Sequence, residues 1–436
     1  MNARYLVRTG LLIVAAQVAI ALISVLALRL YTNLMTPAAF GAANLVLSAL
    51  GLGLQLFVAG YTAALLRFYS ESETPERADA FARKTMSLAL RGVVVLVGIL
   101  LIVVTVATLT NTGAYSPLLF VSGVAWLFAM TVRNVLMSRI QAQRRQAAYA
   151  WLQVIEAALL CGVSVGALGM SPTVEAFLIG QTLAVAFVTL VILMADRTNL
   201  GLFRIRPGVK GGFGRKAWAY GAPFVPMSLL SWVANLGDRY TLAAMLGPGA
   251  AGRYVAPFSI ASRGMLLANS ALCDLFRPLL FDAENRRDRV GADKTFVVWI
   301  AASVALSAAG VAIVHFAGAL IAALLLAQGY RAGAVEIMLW VSLGYAVSGV
   351  TQIIESRMLS LGHSARLLFP MVLGAIANVT FSIFLIRRNG VIGAAQATCA
   401  SFVFQNLATA GFLIQALRRR RSNDSEEIAV DTRKIS

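Results

Sequence analysis

The feature that most constrains this chain is a recurrence of apolar stretches about 20 residues long, the length a helix needs to cross the hydrocarbon of a bilayer. Twelve can be marked: 9–31, 40–66, 86–109, 117–138, 147–170, 173–195, 217–240, 250–273, 296–316, 335–358, 366–386 and 391–417. Apolar residues make up 59% of the 436 and charged residues 13%, against about 25% charged in soluble proteins. So much apolar surface does not fit inside one water-soluble globule. Soluble enzymes, disordered chains, secreted disulfide scaffolds and nucleic-acid binders are set aside, and an all-α polytopic membrane protein remains. The first stretch is too long, and charged too early, to read as a cleaved signal.

The net charge of +18 is explained by where the basic residues fall. With the N-terminus inside, 29 of the 37 Lys and Arg lie in inner segments and six at outer ends, with Arg133 and Arg263 inside spans. That asymmetry is the positive-inside signal of a membrane protein and not a nucleic-acid footprint. Segment 317–334 is apolar enough to tempt a thirteenth crossing, but a crossing there would put the basic tail outside. It reads as a helix lying at the outer interface, held by Tyr330 and Arg331. The loops leave no room for an enzyme module. Three dispersed cysteines (Cys161, Cys273, Cys399) and two distant histidines (His315, His363) imply no disulfide frame, metal site, cofactor or catalytic group.

The Gly- and Pro-containing segment 196–216 divides the chain, giving a first six-helix lobe over 1–195 and a second over 217–417. The charged stretch 418–436 reads as a disordered inner tail. The halves repeat weakly. Arg29 precedes Pro37 and Gly41 as Arg239 precedes Pro248 and Gly252, and Arg67 corresponds to Arg277. A six-plus-six parallel repeat is a transporter architecture, with the site expected in a central cavity at the interface between halves.

Polar residues inside spans should face the bundle interior or a water-filled cavity. Asn44, Ser48 and Gln55 fall on one face of the second span, Asn235 and Asp238 or Arg239 on the seventh, and Gln352 with Tyr345 on the tenth. The charges are more informative, because a mid-bilayer charge is costly. Arg263 lies deepest, with Asp238 as an expected partner. Arg29, Arg239 and Arg133 complete a cationic set, whereas Glu156 and Asp238 are candidates for ion coupling, Glu156 also being a partner for Arg133. Glu355, beside the inner interface, reads as solvated. Pro223, Pro226 and Pro257 are candidate kinks.

With these residues assembled, the chain resembles the polysaccharide (O-antigen-type) flippases of the multidrug/oligosaccharidyl-lipid/polysaccharide exporter superfamily. The run ALRLYTNLMTPAAFGAANLVLSALGLGLQLFVAGYTAALLRFYSE resembles that family's first two helices, with its turn at Met35–Gly41 and its ending at Arg67–Glu71. YGAPFVPMSLLSWVANLGDRYTLAAMLGPGAAGRY resembles the start of the second half, and IRRNGVIGAAQATCASF the start of the last helix. The resemblance implies two lobes around a central cavity and movement of a polyprenyl-diphosphate-linked oligosaccharide from the inner to the outer leaflet of a bacterial inner membrane. Membrane lipids, and a polymerase and glycosyltransferases of the same surface-polysaccharide pathway, are the implied partners. On that reading the arginines meet the diphosphate in a fork, and Asn44, Ser48, Gln55, Asn235 and Gln352 meet sugar hydroxyls. The alternatives are a drug/cation antiporter of the same superfamily, which would want cavity carboxylates, and a membrane polymerase or glycosyltransferase, which would want a large outer loop.

Overall fold

A hydroxyl residue followed by proline starts three of the early helices. Thr36, Thr74 and Ser116 precede Pro37, Pro75 and Pro117, and each hydroxyl accepts the third backbone N–H beyond it, at 3.3, 3.4 and 3.4 Å. The cap satisfies an orphan donor and the proline needs none, so the pair fixes where the helix begins. The computed structural model describes residues 3–69, 74–110, 116–203, 213–222, 224–286 and 288–435. Pro223, the middle of the inter-lobe segment and the end of the RFYSE motif lie outside them.

Among the described residues the chain is helical with no strand. In the first unit, Met1–Leu229, the helices are α1 (Ala3–Leu34), α2 (Pro37–Leu54), α3 (Gly60–Tyr69), α4 (Pro75–Leu109), α5 (Pro117–Ala142), α6 (Gln146–Met170), α7 (Val174–Ala195) and the short α8 (Phe213–Gly221). A π-helical turn at Gln55–Ala59 joins α2 to α3, making one span of Pro37–Tyr69. The second unit, Leu230–Ser436, holds most of α9 (Phe224–Leu246) and then α10 (Pro248–Asn285), α11 (Arg289–Leu325), α12 (Ala334–Ser360) and α13 (Leu368–Ile435).

Among the described residues, ten stretches are long and apolar enough to cross a membrane. One of them, Leu368–Arg418, has 51 residues, far more than one crossing needs. It is broken by Gly390 at φ +60° and ψ −135°, a conformation open to glycine and closed to most other residues, so α13 makes two crossings. Adding α9, whose Asp238 and Arg239 lower its hydropathy, gives twelve.

Residues 317–325 are not a separate interfacial helix. They continue α11 to Leu325, because nothing in GALIAALL breaks a helix. Tyr330 is fully buried, and Arg331 donates from Nε to the Leu326 carbonyl (3.0 Å) and from Nη2 to that of Ala323 (2.8 Å). It thus satisfies carbonyls that a helix end leaves orphaned. The tail expected to be disordered is helical to Ile435; beyond Gly411 it has neither glycine nor proline to stop it. Pro226 sits in the first turn of α9, where its missing N–H leaves no bond unmade; Pro257 lies inside α10.

The first unit's core gathers Leu65, Ala82, Met86, Val93, Leu127, Val135 and Leu136. Helices α6 and α7 approach closely at Gly180, where a Cβ would come within 2.6 Å of the Ser164 Cα. The outward faces carry exposed Val14, Leu22, Ile102, Leu109, Phe316 and Leu320, the distribution expected when the solvent is lipid.

Candidate functional site

The polar positions of α9, α12 and α13 meet in one cavity of about 280 Å³ inside the second unit. Ser231 and Asn235, a helical turn apart on α9, form one wall. Tyr345, Ser348, Thr351, Gln352 and Glu355 of α12 form another, and Phe402 and Gln405 of α13 a third. Steps of three and four residues on α12 put this set on one face. On the same helix, Gly349 lets Asn269 of α10 come close enough to donate from Nδ2 to the Tyr345 carbonyl at 3.2 Å. Asn406 donates to Thr351 Oγ1 at 3.0 Å, tying α13 to α12 beside the wall. The Tyr345 and Phe402 rings meet edge to face at 5.6 Å.

Of the residues expected from sequence, Asn235 and Gln352 line this cavity. Glu355, read from sequence as solvated at the interface, is half-buried in its wall, because the face that carries Tyr345 and Gln352 carries it too. Ser348, Thr351, Phe402 and Gln405 were missed. The amide pair Gln405–Asn406 inside an apolar run of α13 was the available signal.

Asp238 has no exposure. Its Oδ2 accepts from the Tyr254 hydroxyl and from Thr398 Oγ1 (2.7 Å), and its Oδ1 from the Arg239 N–H (2.7 Å). It therefore knots α9 to α10 and α13. Arg263 is not its partner in this knot, being nine residues beyond Tyr254 on α10, about 13 Å along the axis, on an exposed position. The Arg239 guanidinium carbon sits 4.6 Å above the Phe258 ring centroid, a cation–π geometry.

In the first unit, Arg133 of α5 pairs with Glu156 of α6. Its Nε donates to Oε2 at 2.9 Å, with Nη2 on the same oxygen and Nη1 reaching Asn134 at 3.1 Å. Glu156 is buried, so cation and carboxylate compensate each other. Asn44 and Ser48 turn their side chains back onto carbonyls of their own helix, at 2.8 and 2.7 Å; Gln55 is exposed at the π-helical turn and Arg29 half-buried. Among the described residues no group of three or more His, Cys, Asp and Glu is placed to hold a metal.

Two further arginines, not singled out from sequence, hold helix ends. Buried Arg139 at the end of α5 donates to Asp79 of α4 (2.7 Å) and to Asn199 of the 3-10 turn after α7, and Asn199 donates to the Ile192 carbonyl (3.0 Å). Buried Arg357 at the end of α12 donates to Glu284 of α10 (2.7 Å) and Asp293 of α11 (2.6 Å).

Twelve membrane helices among the described residues, in two units with polar groups collected inside, define the class as an all-α polytopic membrane protein. A model of the family described as polysaccharide biosynthesis protein matches residues 6–282. The chain belongs to that family, as the resemblance read from sequence implied. No curated protein matches it by sequence. Among solved structures it is similar to an inward-facing multidrug resistance MATE family transporter of the MOP superfamily, with TM-score 0.71, 13% identity, and coverage of 94% of this chain and 96% of that one. It is also similar to the lipid II flippase MurJ in an inward closed conformation, with TM-score 0.68, 12% identity, and coverage of 92% and 86%. A MOP superfamily transporter from Pyrococcus furiosus gives TM-score 0.62 at 13% identity, over 95% and 94% of the two chains. At these identities the likeness establishes the fold.

Proposed function

We propose that this protein is a flippase that carries a polyprenyl-diphosphate-linked oligosaccharide from the cytoplasmic to the outer leaflet by alternating access, for surface polysaccharide. The observation that carries the reading is the second unit's cavity. Beside Glu355 and the apolar Leu230, Ala234, Leu266 and Met371, its wall carries hydroxyls, amides and aromatic rings, the groups that bind sugar hydroxyls and ring faces, in a molecule whose outer surface is apolar. Membership of the polysaccharide biosynthesis family supports it, and so does the fold shared with a lipid II flippase. Exposed Arg263, with Arg239, is our assignment for the diphosphate, through charge-assisted bonds. The distribution of Lys and Arg supports cytoplasmic termini in a bacterial inner membrane.

Glu355 in the cavity wall favours a second reading, a cation antiporter. Reconstitution separates the two. Proteoliposomes holding a fluorescent undecaprenyl-diphosphate oligosaccharide should expose it to an external quencher only when the protein is present. Arg263→Ala should slow that exposure about 10-fold or more, the loss expected for a charge-assisted bond. Export of a cationic dye without movement of the lipid would establish the antiporter instead.

A further inference from the structure

We infer that the second unit's cavity is a monosaccharide subsite that takes a neutral or amino-substituted pyranose and rejects a uronic acid. The inference deepens the flippase reading and rests on it. A volume of about 280 Å³ is that of roughly nine waters at about 30 Å³ each, and it falls just below the range of pockets for drug-sized ligands. One sugar ring with its hydroxyls fits this space.

The wall is ready to hydrogen-bond. Among the described residues, the side chains of Tyr345, Ser348, Glu355 and Gln405 find no hydrogen-bond partner within the protein, although all four line the cavity. They offer a phenol, a hydroxyl, a carboxylate and a primary amide, donors and acceptors matched to the vicinal hydroxyls of a pyranose. Phe402 gives the wall an apolar patch for the C–H face of the ring.

The charge of the wall sets the selectivity. Glu355 is its one ionisable carboxylate, and no Lys or Arg lines the cavity. A uronate would bring a second carboxylate beside Glu355, where the one nearby cation, Arg277 of α10, lies outside the lining and already faces Glu355, and like charges set together in a partly dry site cost binding. An ammonium sugar would gain a charge-assisted bond there. The anionic diphosphate therefore belongs at arginines outside this wall.

The test uses the full-length protein in lipid nanodiscs, with glucose, glucosamine and glucuronate as free probes in saturation-transfer NMR titrations. Glucosamine and glucose should bind at millimolar concentration, glucosamine more tightly, and glucuronate at least about tenfold more weakly than glucose. Glu355→Gln keeps the shape of the side chain, and should abolish both the penalty on glucuronate and the preference for glucosamine. Gln405→Leu should weaken all three sugars alike, and Ser348→Ala serves the same purpose if the leucine variant does not fold. Equal binding of glucuronate and glucose, an unchanged ranking in Glu355→Gln, or no binding of any probe would each overturn the subsite. The lipid assay above keeps the two claims apart. Flipping with a flat sugar ranking removes the subsite and leaves the flippase, whereas the expected ranking without flipping leaves a sugar site and removes the lipid carrier.

Discussion

The two units are stapled alike and filled differently. Arg139 and Arg357 each lie three residues before the last residue of their helix. Each grips an aspartate, Asp79 or Asp293, that is the fifth residue of α4 or α11. The repeat seen in the sequence at Arg29 and Arg239 thus extends to an ion pair in three dimensions. The interiors do not repeat. The first unit neutralises its buried charge within the Arg133–Glu156 pair, while the second locks its own into the Asp238 knot and leaves a cavity walled mostly by uncharged groups. What is duplicated serves the fold, and what differs between the units is where function is to be sought.

The largest effect that would break this comparison is at the staples. Arg357→Gln removes a charge-assisted bond to Glu284, whose side chain is 9% exposed, and a second to Asp293, which is 66% exposed; at about 1.5–3 kcal/mol for a bond to a charged group, with the exposed one discounted, the loss is about 2–4 kcal/mol. Arg139→Gln strands Asp79, which is 36% exposed and reaches water, so about 1–2 kcal/mol is expected. Thermal unfolding in detergent should rank Arg357→Gln below Arg139→Gln. Equal losses would mean that the staples are equivalent in strength as well as in place.

Next comes the knot. Tyr254→Phe removes one of three donors to a fully buried carboxylate and should cost about 1.5–3 kcal/mol, the range for hydrogen bonds to charged groups. A smaller loss than that of Arg139→Gln would show that Asp238 is not held as a charge. In the first unit, a double-mutant cycle on Arg133→Gln and Glu156→Gln should return a coupling of about 1–2 kcal/mol; zero coupling would free Glu156 for ion binding.

Sequence reached the helices easily and the site only in part, for one physical reason. Crossing a bilayer needs long apolar runs, and these are visible residue by residue. The second unit's cavity is built by faces of four helices, α9, α10, α12 and α13, so Asn235 and Gln352 stood out as amides in apolar runs, whereas Ser348 and Thr351 look like ordinary packing residues until α9 and α13 are set beside α12. Asp238 was legible as a costly buried group; its partners Tyr254 and Thr398 were not, since neither carries a charge. Glu355 was misread because distance along the helix suggested the interface, and only its face shows that it turns inward. Segment 317–334 was misread because its length fits a separate helix as well as a continuation of α11.

The smallest effect is a pH lever on the first unit. The Asp196 carboxyl, just past the end of α7, is held below its ordinary 3.8 chiefly by the Thr198 hydroxyl at 2.6 Å, partial burial opposing, with help from the Thr198 N–H and then the Arg139 and Arg145 guanidinium groups. A depressed carboxylate stabilises the folded state above the unfolded value and loses that contribution as pH falls through the folded one. Thr198→Val should therefore lower the melting temperature slightly at pH 7, with the difference from the native chain fading below about pH 4. A difference that grew on acidification would assign the contact the wrong sign.

The central claim, that sugar is held in the second unit, is tested most directly by photo-crosslinking. An undecaprenyl-diphosphate-linked disaccharide with a diazirine on its terminal sugar is added to the protein in nanodiscs, irradiated, and the adducts are mapped by mass spectrometry. The account predicts adducts on the α9 stretch around Ser231 and Asn235, on α12 between Tyr345 and Glu355, and on α13 near Gln405, competed away by free glucose. Adducts confined to α5 and α6 around Arg133 and Glu156 would contradict it.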